Sequence, residues 1–267
     1  MFTLSQVVRN TLHKPPFITL HGGAGVGKTS FAASAPNVIF IPVEDGLGAL
    51  DVATFPEPKT AEEVTMMIQT LLNEDHGYQW LVIDSLTSLE KKLWKDLAKK
   101  GNVDSIEDFG GGYGKGYTRA VEWTTQLIND LRALRERKGM GIILIAHSKV
   151  STFNPPDKGS YDQYALNVNA KMADFIHTQA DIVAYCELEQ LIRQEDKGFG
   201  REQGKVTETG RRVLHCYSSQ KYTSKNRYGI QGPINMDWNV LMDHVAAAMP
   251  QQAQTTTPPT NEAQTNG

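Results

Sequence analysis

Gly22-Gly23-Ala24-Gly25-Val26-Gly27-Lys28-Thr29 reads G-x-x-x-x-G-K-[ST], the spacing of a loop that cradles phosphate. Glycines in such a loop let successive backbone N–H groups curl around an anion without β-carbon clashes. The apolar run Phe17-Ile18-Thr19-Leu20 precedes it, and the helix-compatible run Thr29-Ser30-Phe31-Ala32-Ala33 follows. A strand that feeds the loop and a helix that leaves it distinguish a nucleotide site from a chance glycine-rich turn. The expected nucleotide-binding set is therefore Gly22, Gly23, Ala24, Gly25, Val26, Gly27, Lys28, Thr29 and Ser30. Lys28 is expected on the terminal phosphates and the Thr29 hydroxyl on Mg²⁺.

Outward from the loop, strands alternate with helices. The first strand covers about 17–21, and its helix runs to about Ser34. Val38 to Val43 reads as a second strand, Trp80 to Asp84 as a third and Gly141 to His147 as a fourth. Helices are expected over Ala61 to Leu72, Ser85 to Lys99, Tyr117 to Arg137, Ala170 to Thr178 and Met236 to Met249. The region from Lys149 to Asn169 reads as a polar loop. Asp181 to Glu187 and Arg212 to Ser218 read as strands around a charged excursion, Glu189 to Gly210, expected to form a solvated hairpin or flap. The pattern predicts an α/β fold. Its sheet is mostly parallel and twisted, flanked by helices, with antiparallel strands near the C-terminal edge. Residues 1–249 are expected to form one domain. The Gln-, Thr-, Asn- and Pro-rich stretch 250–267 cannot bury surface and is expected to be a disordered tail.

Polar residues cluster where the strands end, which is where open α/β sheets bind ligands. The second strand ends in Glu44-Asp45, the third in Asp84-Ser85, the fourth in His147-Ser148-Lys149. Asp84 closes an apolar run in the Walker-B manner and is the expected magnesium partner; Asp84 or Ser85 can also cap the next helix. Glu44 is the preferred residue for orienting an attacking water. Asp45 is its competitor, since one residue of register decides which acid faces the phosphate. His147 reads equally as a sensor of the terminal phosphate and as a histidine satisfying buried polar groups.

The composition narrows the classes. The chain has 267 residues, 40% apolar and 21% charged, with a formal net charge of -3. A uniformly basic surface is excluded, so any nucleic-acid contact must come from local patches. No run of about 18 apolar residues exists, and the N-terminal stretch lacks a secretory core. No membrane partner is expected, and the expected location is the cytoplasm. Cys186 and Cys216 lie in apolar, strand-like runs without metal-ligand spacing and are expected to be buried thiols.

Together these segments resemble the RecA-like recombinase ATPases over about Pro16 to Gly232. Glu44 to Asp51 resembles the segment in which an acid activates water. Leu81-Val82-Ile83-Asp84-Ser85-Leu86 is similar to the Walker B, and Ile143 to Ser148 resembles the sensor strand. Lys225-Asn226-Arg227 resembles a Lys-Asn-Lys element that reaches the nucleotide of a neighbouring subunit. Length and the glycine-rich loop look most like minimal phage single-strand annealing ATPases. The resemblance implies ATP and Mg²⁺ as cofactors and a catalytic set of Lys28, Glu44, His147, Lys225 and Arg227. It implies self-assembly into a ring or filament with nucleotide between subunits. It also implies single-stranded DNA binding by two loops, through Phe109, Tyr113, Lys115, Tyr117, Arg119, Phe153 and Lys158. A single-strand-binding protein is a further candidate partner, through the tail. No recognisable N-terminal oligomerisation domain or large C-terminal domain accompanies these motifs, which argues against full strand exchange. A ring helicase or packaging-type motor and an ATP-dependent switch without DNA contact remain the rival expectations.

Overall fold

Strands as apolar as Ile142-Ile143-Leu144-Ile145 are stable only where both faces of the sheet are covered. The computed structural model, which describes Thr3 and residues 14–156, 159–196 and 202–249, contains such a sheet. The chain runs β1 (Phe17–Gly22), α1 (Lys28–Ala33), β2 (Val38–Pro42), β3 (Ala53–Thr54), α2 (Ala61–Asn73), β4 (Trp80–Asp84) and α3 (Leu86–Lys100). It continues through α4 (Lys115–Ala133), β5 (Gly141–Phe153), β6 (Tyr161–Leu166), α5 (Ala170–Gln179), β7 (Ile182–Asp196), β8 (Glu202–His215), β9 (Lys225–Asn226), β10 (Pro233–Asn235) and α6 (Trp238–Ala248).

The sheet order is β10-β8-β7-β1-β5-β4-β2-β3. All pairings from β3 through β7 along this path are parallel, while β8 and β10 add antiparallel strands at one edge. The fold is thus mixed α/β with a mostly parallel central sheet, as the strand–helix alternation predicts. One strand, β5, separates the phosphate-loop strand β1 from β4.

Two cores hold the layers together. Ile142, Leu144, Leu81 and Ile83 pack with Ile68 of α2, Leu89 and Leu93 of α3, Leu127 and Leu131 of α4 and Ile176 of α5. On the opposite face Ile18, Leu20, Phe40 and Ile143 pack with Phe31 of α1 and with Trp238 and Leu241 of α6. Alternate residues of the same strands serve the two cores, so β1, β2 and β4 are buried on both faces and lack the polar alternation of a half-solvated sheet. Full burial of each such side chain contributes about 1.5–3 kcal/mol. Side-chain caps fix the helix starts: Thr60 accepts from the Glu63 N–H, Ser85 from Ser88, Asn169 from Lys171 and Asp237 from Val240.

The region read as a polar loop after His147 is different. β5 continues past His147 to Phe153 and pairs antiparallel with β6, Val150 opposite Tyr164 and Phe153 opposite Tyr161. This ribbon is only partly covered, so its strands carry no buried-face pattern for a sequence reading to detect. The charged excursion is a second ribbon, formed by the paired extensions of β7 and β8, with an irregularity at Leu188–Gln190. The long helix begins at Lys115 and closes in a π-helical turn, Leu134–Lys138, before left-handed Gly139. Cys186 and Cys216 are buried free thiols, and burial pushes each up to about 12. Among the described residues no helix is long and apolar enough to cross a membrane. The tail expected over 250–267 lies outside the described residues.

Candidate nucleotide site

Register brings the polar strand ends to one edge. Gly22 lies level with His147 on β5 and with Cys186 on β7, and Asp84 lies level with Pro42 and with Ile145. The loop between β1 and α1 is open on its concave side: β-carbons built on Gly23 or Gly25 meet nothing within 4 Å. Gly25 and Gly27 have φ of 73° and 98°, a region L side chains avoid. Buried Lys28 donates through Nζ to the carbonyls of Gly22 (3.1 Å) and Gly23 (2.7 Å). Burial lowers its pKa, while nearby Asp84 and Glu44 act in the opposite sense.

Thr29 follows directly, and its Oγ1 donates to Asp84 Oδ2 at 2.7 Å. Burial raises the Asp84 pKa, the Thr29 hydrogen bond opposes that, and the negative Glu44 adds to it. A hydroxyl and a buried carboxylate in contact beside an open amide loop form the donor set a magnesium–polyphosphate requires. Ser85, the next residue, caps α3, so the metal and capping readings of this segment fall on adjacent side chains.

Glu44 is bound on both oxygens. Oε2 accepts from Ser85 Oγ at 3.0 Å and from Ser88 Oγ, and Oε1 contacts His147 Nε2 at 3.2 Å. Burial favours its neutral form, but these donors and the His147 ring outweigh that and hold the carboxyl below its ordinary range. Asp45, one residue on, is exposed. The His147 backbone N–H donates to Thr87 Oγ1 at 3.1 Å, which fixes the strand end from which its ring reaches Glu44. Sequence reasoning missed Ser88 and Thr87. The only signal was a cluster of hydroxyl residues, Ser85, Thr87 and Ser88, opening a helix beside Asp84.

The remaining expected residues divide. Lys225 donates to the carbonyls of His177 and Thr178 at the end of α5, both at 2.8 Å. Arg227 donates to Asp181 Oδ1 at 3.0 Å and to the Thr178 carbonyl at 3.3 Å. Both lie with β9 beside the start of β7, and in its own chain each side chain is held by the segment from the end of α5 to Asp181 rather than by the phosphate loop. In the glycine-rich loop Phe109 is folded back onto the core, and Tyr117 meets Trp94 edge-on at 5.4 Å. These two rings are engaged within the chain rather than presented as free stacking faces. Tyr113 is fully exposed, Lys115 holds the Gly110 carbonyl at 2.9 Å, and Arg119 pairs with Glu122 at 2.6 Å. Phe153 is exposed near the tip of the β5–β6 ribbon against Tyr161, and Lys158 lies outside the described residues.

An aromatic stack joins that ribbon to the phosphate-loop strand. Tyr164 stacks on Tyr185 at 5.1 Å, Tyr185 on Tyr222 at 5.0 Å, and His21 of β1 lies 5.3 Å from Tyr185. The His21 ring is hydrogen-bonded to Ser148 Oγ (2.9 Å) and to the Thr223 carbonyl (2.7 Å). A groove of about 860 Å³ lies elsewhere, among α2, α3 and α4 on the face of the sheet opposite α1. Its lining carries charges of both signs and none of the strand-end residues.

The profile of the AAA domain matches residues 14–228, and the chain belongs to that family of P-loop nucleotide-binding ATPases. No curated protein matches it.

Proposed function

We propose that this protein hydrolyses ATP in a RecA-like manner, binds single-stranded DNA and serves phage-type recombination or strand annealing as a ring or filament. The observation that carries the hydrolysis reading is the Glu44 carboxylate, held ionised by Ser85, Ser88 and His147 beside the Lys28–Thr29–Asp84 set. Phosphoryl transfer needs positioning and charge stabilisation more than covalent chemistry. An ionised carboxylate with a fixed orientation is suited to align a water and accept its proton. The loop amides and Lys28 would hold the polyphosphate. Thr29 and Asp84 would hold Mg²⁺, which when bound neutralises phosphate charge. His147 touches Glu44 directly, so a change at the terminal phosphate can pass through it to the β5–β6 ribbon. That ribbon, with exposed Phe153, and the loop carrying Tyr113 are the proposed DNA contacts, by base stacking beside basic groups.

The test is the ATPase rate with and without single-stranded DNA at two salt concentrations. We expect stimulation that weakens as salt rises, because phosphate contacts release counterions. Hydrolysis indifferent to DNA would favour an ATP-dependent switch. Stimulation accompanied by duplex unwinding would favour a helicase-type motor.

A further inference from the structure

Arg211 and Arg212 are consecutive on β8 and have opposite surroundings. Arg211 donates through Nε to Asn235 Oδ1 at 2.6 Å and pairs with Glu189 at 3.5 Å. The Arg212 side chain has no hydrogen bond or ion pair among the described residues and is exposed. Its backbone is nonetheless fixed: it lies opposite Leu188 of β7, and its carbonyl accepts from the Met236 N–H at 3.0 Å. Leu214, two residues on, points into the core shared with Val26 and Phe31, so Arg212 lies on the same face, over the phosphate loop. There it makes close contact. A β-carbon built on Gly27 would lie 3.2 Å from Cδ and from Nε of Arg212 and 3.7 Å from its Cζ.

Arg212 lies over the loop that carries Lys28, and no carboxylate among the described residues pairs with it. A guanidinium on a fixed backbone with all its donors free is a ready ligand for a multiply charged anion. We propose that Arg212 is a nucleotide-positioning residue that acts in its own subunit and donates to the polyphosphate held by the loop from Gly22 to Thr29. The inference rests on the ATPase reading above and deepens it. It assigns a phosphate ligand from the antiparallel edge of the sheet, separate from Lys225 and Arg227, which lie at the other end of β7.

The experiment is a titration of the purified full chain with ribose-labelled ATP and ADP, read by fluorescence, alongside thermal midpoints measured without nucleotide. Arg212→Ala is expected to weaken binding of both nucleotides about ten- to hundredfold, the range for a hydrogen bond to a charged group. The nucleotide-free midpoint should stay unchanged, because the side chain has no partner to lose. Arg212→Lys should recover part of the affinity, and Arg211→Ala should bind as wild type. Equal affinities for wild type and Arg212→Ala would overturn the assignment while leaving the ATPase reading intact. Wild-type protein that binds neither nucleotide would overturn both.

Discussion

Glu44 and Asp45 are adjacent acids, and burial separates them. Glu44 has both oxygens engaged by Ser85, Ser88 and His147, whereas Asp45 is exposed. Glu44→Gln keeps the shape but removes the proton acceptor. Single-turnover kinetics should show hydrolysis slowed about 10²–10⁴-fold, the usual contribution of a general base, with nucleotide affinity retained. Asp45→Asn should hydrolyse at close to the wild-type rate. His21 gives a prediction in pH. Burial is the largest cause pushing its pKa down to about 4, and Lys28 and His177 act in the same direction against the hydrogen bond to the Thr223 carbonyl. The unfolded chain takes up this proton near pH 6.5 and the folded chain refuses it. The contribution is therefore complete above about pH 6.5 and is lost as pH falls toward 4. The slope approaches about 1.4 kcal/mol per pH unit and the total is about 3 kcal/mol. Denaturant titrations from pH 7 to pH 4 should show a shallower decline for His21→Gln than for wild type.

The two ribbons and the glycine-rich loop set the behaviour at the scale of elements. Tyr113 is fully exposed at positive φ between Gly112 and Gly114, so its ring contributes nothing to the core. Tyr113→Ala should leave the thermal midpoint and ATP affinity unchanged. If its ring stacks on a base, fluorescence anisotropy with an oligonucleotide should register a loss of about 1–3 kcal/mol. Tyr117→Ala should behave differently and lower the thermal midpoint, since that ring packs on Trp94. The sequence alone put both tyrosines in one binding loop, because nothing in a Gly-Tyr-Gly-Lys-Gly-Tyr run says which ring turns inward. The helix begins at Lys115, and buried Gly116 permits a close approach: a β-carbon there would lie 2.2 Å from the Ile106 carbonyl oxygen. The parallel strands were legible because each is buried on both faces and reads as an apolar run. β6 was not, because a ribbon projecting from the sheet is specified by backbone pairing with β5, which leaves no periodic signal. Arg212 was illegible for a related reason: its role depends on an antiparallel register that places it over Gly27, a residue far away in the chain.

At the scale of the whole molecule the placement of Lys225 and Arg227 is decisive. The phosphate loop leaves the carboxyl end of β1, while Arg227 binds Asp181 at the amino ends of β1 and β7. A strand the length of β1 spans about 20 Å, so Arg227 lies at the far end of that strand from the phosphate loop of its own subunit, and the Lys225 ammonium is turned away from the loop by its bonds to the His177 and Thr178 carbonyls. Buried Asp181 also receives Arg135 at 2.6 Å and the Phe17 N–H at 3.0 Å, so it keeps two partners without Arg227. The Arg227 side chain is half exposed, and its ion pair should contribute no more than about 1 kcal/mol. Arg227→Ala should therefore fold and bind ATP. If Arg227 completes the site of a neighbour, that variant and Lys28→Ala should each be inactive alone yet active when mixed on single-stranded DNA. In the mixed assembly an intact phosphate loop from the Arg227→Ala subunit meets an intact Arg227 from the Lys28→Ala subunit. Recovery of ATPase activity on mixing, rising with total protein concentration, is the expected result. A mixture as inactive as its components would overturn the contribution to a neighbour's site, and an Arg227→Ala variant with full DNA-stimulated activity would confine Arg227 to its bond with Asp181 and leave the chain to hydrolyse ATP without that residue.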